Sequence, residues 1–171
     1  MEQEILKLIK QVHDDAKEYN MKYPGCSQAV LGSLQKNLNI GGLDSFKAAT
    51  LLVGGVARRG ETCGAVIGAL MALGIVIGRE RIEDIETYQK AFEPAYEFCD
   101  KFVKEYGSTL CCEIQKRLYG MCFNLRDRRG HEQFLLAGGR SEEGCPKVCG
   151  FAAKTMAEII LRLKDRALVR E

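Results

Sequence analysis

Residues 63–78 read CGAVIGALMALGIVIG, sixteen positions without a charge. A bilayer-spanning helix needs about 20 apolar residues. This run is shorter, and Glu61 and Arg79 close it in on both sides. It therefore reads as a core helix, and no membrane span is expected. Gly64, Gly68 and Ala72 recur every four residues, which puts them on one helical face. Side chains that small let a second backbone approach closely. Glycine in a helix interior costs about 1 kcal/mol, so close packing must offset it. The face is thus a packing surface, either within the chain or toward a second copy in a homo-oligomer.

Outward from this stretch the chain continues in helical periods. Prolines number three, alternating β-branched runs are few, and apolar residues recur at 3.6-residue spacing. The expectation is an all-α, single-domain bundle of about six or seven helices over residues 1–171. The first helix runs from Glu2 to about Tyr19, with Ile5, Leu8, Ile9, Val12, Ala16 and Tyr19 inward. Pro24-Gly25 breaks it, and a second follows from Cys26 to about Leu38. Asp44 caps a short helix reaching Val53. Thr62 caps the glycine-faced helix. A charged stretch then leads into a long helix, in one piece or two around Pro94, with a stripe of Phe92, Tyr96, Cys99, Val103 and Tyr106. Ser108 caps the next. Residues 120–144 are the least regular, with a helical turn around 132–137. The last helix opens at Cys145-Pro146 and extends to about Leu168.

A domain of 171 residues buries enough surface to fold without covalent staples, yet the chain carries eight cysteines and no tryptophan. Lys plus Arg is 25 against 23 for Asp plus Glu, a net charge of +2. That balance argues against a nucleic-acid partner, whose binders are strongly basic. The N-terminus, MEQEILKLIKQVHDDAKEYNMKY, has none of the features of a secretory or transit segment. A cytoplasmic location is expected. There, thiols stay reduced, and an even cysteine count points to redox chemistry or metal binding before a structural disulfide framework.

Four cysteines fall at expected helix starts: Cys26, Cys63, Cys111 and Cys145. Helix N-termini carry free N–H groups and partial positive charge. A thiolate there is stabilised and its pKa is expected to fall. Arg58 and Arg59 would add to this at Cys63. Cys149 lies four residues after Cys145, on the same helical face. Cys111 and Cys112 point about 100° apart, so at most one faces a common site. Cys99 and Cys122 read as packing residues, and Cys112 is left open. Of two histidines, His13 reads as solvated and His131 as a surface residue, which argues against a histidine-rich zinc site. No CxxCH is present, so covalent haem is not expected. The glycine-rich 54–64 stretch with Arg58 and Arg59 reads first as a turn, and second as an anion-binding loop.

The order of these motifs resembles a known family. Cys63, Gly64, Ala65 and Gly68 match CGA-x-x-G, GCSQAVL surrounds Cys26, YGSTLC places Cys111 shortly after Gly-Ser, and Cys145 opens the final helix. The chain is similar, over residues 19–165, to the C_GCAxxG_C_C family of small cysteine-rich redox-active proteins. That resemblance implies an all-helical domain with a redox or metal role, often encoded beside transporter genes, and a likeness to part of the split-Soret cytochromes without their haem motifs. Three functions follow. The first is thiol–disulfide chemistry with Cys63 as the reactive thiolate and Cys26, Cys111, Cys145 or Cys149 as its partner, acting on a redox or transporter-associated protein. The second is a zinc or Fe–S site held by Cys26, Cys63, Cys111 and Cys145. The third is a helical interaction domain whose cysteines only pack.

Overall fold

The computed structural model describes residues 2–168, with side chains through residue 165; Met1 and residues 169–171, at the ends of the expected domain, lie outside it. The described residues are all-helical. Nine α-helices occur among them: α1 (Glu2–Lys22), α2 (Cys26–Leu38), α3 (Leu43–Ala48), α4 (Gly64–Ile77), α5 (Ile85–Lys90), α6 (Phe92–Tyr106), α7 (Cys111–Tyr119), α8 (Arg128–Leu136) and α9 (Cys145–Leu168). A 3₁₀ turn, Ala49–Leu51, follows α3. The expected six or seven undercounts short pieces. α5 is separate from α6, and α8 forms in the stretch that looked irregular because the Asp127 carboxylate caps it, accepting from the Gly130 N–H.

α9 and α2 are the centre of the bundle. α9 packs against α1, α2, α4 and α6, and α2 packs against α1 and α4. Val12 and Ala16 of α1, Leu31 and Leu34 of α2, Ala69 of α4, and Met156, Ile159 and Ile160 of α9 are fully removed from water. No helix among the described residues is long and apolar enough to cross a membrane.

The small-residue face of α4 is occupied by α2 of the same chain. A Cβ at Gly68 would collide with the Ser27 carbonyl oxygen, and one at Gly64 with the Cys26 sulfur. Gly64, Gly68 and Ala72 are all buried. The expected homo-oligomer contact through this face is therefore excluded, because α2 already fills it. The stripe expected on α6 is also shifted. Phe98, Phe102 and Tyr106 are inward, while Phe92, Tyr96 and Val103 are exposed. α6 carries two apolar stripes, and the inward one is stacked: Phe102 and Tyr106 lie 5.0 Å apart between ring centres, and Tyr106 meets Phe151 of α9 edge-on at 5.4 Å.

Between the 3₁₀ turn and α4 the chain turns left-handed. Gly54, Gly55, Val56, Ala57 and Arg58 have φ between +50° and +72°. Three of these carry a Cβ, which that conformation disfavours by about 1–2 kcal/mol per residue. Hydrogen bonds stabilise the segment: Arg59 N–H to Gly55 O at 3.2 Å and Gly60 N–H to Gly54 O at 3.0 Å.

Candidate functional site

Beyond this left-handed segment the chain straightens for three residues and meets the stretch before α7. Thr62 and Leu110 form an isolated antiparallel bridge. The Cys63 N–H donates to Thr109 O at 2.8 Å, and the Cys111 N–H donates to Glu61 O at 2.7 Å. Side chains alternate along paired extended segments, so Cys63 and Cys111 leave the bridge on the same side. Residues distant in sequence are thereby brought together by two hydrogen bonds. Cys63 is the N-cap of α4 and Cys111 the first residue of α7. Thr62, expected as the cap, is used in the bridge instead.

Cys26 opens α2 immediately after Gly25, whose φ of 132° suits glycine. Its sulfur lies over Gly64 and is approached by the backbone N–H groups of Gly54, Ser27, Gly64 and its own residue. Cys145 opens α9. Its N–H donates to the Tyr119 hydroxyl at 2.9 Å, and that hydroxyl lies 3.6 Å from the Cys145 sulfur as a donor. Cys149, one turn on, directs its thiol toward Cys26 O at 3.9 Å. Cys111 accepts from Gln115 Nε2 at 3.3 Å, and Gln115 Oε1 accepts the Phe123 N–H at 2.9 Å.

One cavity of about 80 Å³ is lined by Cys26, Cys63, Cys111, Cys145 and Cys149. It has room for several water-sized groups. Arg58, Arg140 and His131 also line it. Arg140 donates to Asn20 O at 3.0 Å and Arg58 to Leu125 O at 3.4 Å. Neither guanidinium has a carboxylate partner among the described residues. Burial lowers the Arg140 pKa, and ionised Cys145, Cys26 or Cys149 would raise it. Two guanidiniums thus stand beside the cavity thiols.

The expected fall in thiol pKa is overturned. Burial pushes Cys63 and Cys149 well above the ordinary thiol value, with neighbouring thiolates adding to it. Cys111 is pushed up to about 12 and Cys145 to about 11, again chiefly by burial. Cys26 is raised by burial too, but four backbone N–H groups oppose the shift. Loss of water outweighs the helix-terminal dipoles, since burial is the largest influence on each of these thiols. Among the described residues, no group of three or more His, Cys, Asp or Glu side chains is arranged to hold a metal ion.

The remaining cysteines are elsewhere. Cys99 packs half-buried against the core. Cys122, read as a packing residue, is instead disulfide-bonded to Cys112, with 5.0 Å between Cα atoms. Gly120 caps α7 in a left-handed conformation (φ 78°) and reverses the chain. The Phe123–Gln115 bond then holds Cys122 beside the first turn of α7. His13 is half-buried rather than solvated, with its ring over Gly150 of α9. Sequence reasoning missed Arg140, Tyr119 and Gln115, and it placed His131 on the surface. Only Gln115 had a signal: it lies one helical turn after Cys111.

Comparison with family models matches residues 25–159 to the family described as "Putative redox-active protein (C_GCAxxG_C_C)". No curated protein and no solved structure matches the chain.

Proposed function

The chain belongs to the C_GCAxxG_C_C family, and from that premise we propose that it is a thiol–disulfide redox protein working through the cysteine-lined cavity. One observation carries this reading: five cysteines from four helix starts line a single cavity. Cys26 is the nucleophile. Its sulfur has the backbone N–H groups that hold a thiolate, whereas Cys63 is deeper and pushed further up. Cys26 and Cys145 are also the half-buried members of the set, within reach of a partner.

In the exchange, the Cys26 thiolate attacks one sulfur of a disulfide on a redox partner protein. A Cys26–partner bond forms and the partner's second sulfur leaves as a thiol. Cys63 or Cys149 then attacks Cys26, closing an internal disulfide and releasing the fully reduced partner. Two electrons pass from the chain to the partner, and two protons accompany the released thiols. Arg140 and Arg58 stabilise the transient thiolates. In a reducing cytoplasm the cavity thiols would start reduced, ready for this step.

The test is peptide mapping after mild oxidation. A disulfide joining Cys26 to Cys63 or Cys149, absent from Cys26→Ser, is the expected outcome. Recovery of Cys112–Cys122 alone would overturn the reading. Stoichiometric zinc or iron in protein purified without air would overturn it as well, in favour of ligation by Cys26, Cys63, Cys111 and Cys145.

A further inference from the structure

Adjacent residues of α7 face two different spaces. Cys111 lines the inner cavity, and Cys112 points outward to its disulfide with Cys122. The Thr62–Leu110 bridge sets this division. Cys111 N–H bonds to Glu61 O, and Cys112 N–H bonds to Gly60 O at 3.0 Å. On the outer side lies an open groove of about 370 Å³, lined by Cys122, Arg58, Arg59, Arg126, Glu61 and Asn124, among others. Three guanidiniums meet one carboxylate there, and among the described residues none of the three is paired with a carboxylate. A groove of that size accommodates a small organic ligand.

We propose that the Cys112–Cys122 disulfide is a second, outward-facing redox site, and that its basic groove takes a small thiol bearing carboxylates as reductant. The site is distinct from the inner cavity, and the proposal stands without the reading given to that cavity. The carboxylates lie against Arg59 and Arg126, which directs the thiol at Cys122, the disulfide residue that lines the groove. The incoming thiolate attacks the Cys122 sulfur. The S–S bond breaks, and Cys112 leaves as a thiolate in the first turn of α7, where the N-terminal end of the helix favours negative charge. A second molecule of the small thiol attacks the mixed disulfide at its own sulfur. The products are Cys122 as a thiol and the small molecule as its symmetric disulfide. Two small thiols are oxidised and one protein disulfide is reduced, so protons and electrons balance.

The experiment follows reduction of Cys112–Cys122 in the full chain by alkylation and peptide mass. Three thiols are compared: reduced glutathione (anionic), 2-mercaptoethanol (neutral) and cysteamine (cationic). Electrostatic attraction raises encounter rates by roughly 10-fold or more at low salt. The double variant Arg59→Gln/Arg126→Gln should slow glutathione about tenfold. It should leave 2-mercaptoethanol within about twofold and speed cysteamine relative to glutathione. Unaltered chain should lose most of the glutathione advantage when salt is raised, since charges are screened within about 8–10 Å. This arm needs no variant to fold. Cys112→Ser treated with glutathione disulfide should carry the adduct on Cys122. Equal slowing of all three thiols, a glutathione rate indifferent to salt, or no adduct on Cys122 would each overturn the proposal.

Discussion

At Gly64 a methyl group is already too large. It would collide with the Cys26 sulfur and sit 3.1 Å from the Ser27 nitrogen, so Gly64→Ala must displace the thiol from its N–H donors. Overpacking of this kind destabilises by about 1–3 kcal/mol. The expected result is a lower urea midpoint together with a higher pH midpoint for alkylation of Cys26. A variant with both values unchanged would remove the cradle assigned to Gly64. The buried thiols also make stability depend on pH. Their folded pKa values are raised, to about 11 for Cys145 and about 12 for Cys111. Below the ordinary thiol value the groups are neutral in both states, and the full stability is present. As pH rises through about 9 the unfolded chain ionises first, and stability is lost progressively toward the folded values. Denaturant midpoints between pH 8 and 10.5 should fall with pH, and less steeply in Cys145→Ala. Identical slopes in the two proteins would contradict the burial assigned to Cys145. Helix-start placement of the cysteines was legible because Pro24-Gly25 and Cys145-Pro146 are local signals. The direction of their pKa was not, since it depends on which elements exclude water.

Among the elements, the left-handed segment is where local preference and tertiary structure disagree most. Val56 has a φ of 53°, a conformation disfavoured for a β-branched side chain. Val56→Gly is expected to stabilise the chain by up to about 1 kcal/mol, read from urea unfolding. A clear loss of stability would argue against the left-handed geometry. The segment places Arg58 against both the inner cavity and the outer groove, and Arg59 against the outer groove. Its glycines were readable as a turn, but the handedness of the intervening Val56 and Ala57 was not. α6 teaches a related lesson. Phe92, Tyr96, Cys99 and Val103 make as good a periodic stripe as Phe98, Phe102 and Tyr106. The choice belongs to Phe151 of α9, which stacks on the second set. Periodicity locates a helix reliably but selects its face only when one stripe is clearly more apolar.

For the whole molecule, the covalent link Cys112–Cys122 closes a loop of sequence separation 10. Closing such a loop restricts the unfolded chain by about 2–3 kcal/mol. Reductant, or Cys112→Ser, should lower the unfolding temperature by roughly 5–10 °C, using about 2–4 °C per kcal/mol for a chain of this size. Calorimetry with and without reductant reads this directly. No change would mean that the two cysteines are not joined in the folded protein. The same bond alters how the eight cysteines are divided. Five line the cavity, two form the outer disulfide, and Cys99 alone remains in packing.

The sequence by itself determined the helical class, the starts of α2 and α9, and the family, because turn residues and apolar period act over a few neighbours. Tertiary structure alone decided which side of α6 is buried, that α2 rather than a second copy covers Gly64 and Gly68, and that Cys122 meets Cys112. It also decided that the cavity thiols are harder to ionise than free ones. Each of these depends on groups far apart in sequence competing for the same space or for the same water, and that competition is resolved only when the whole bundle closes.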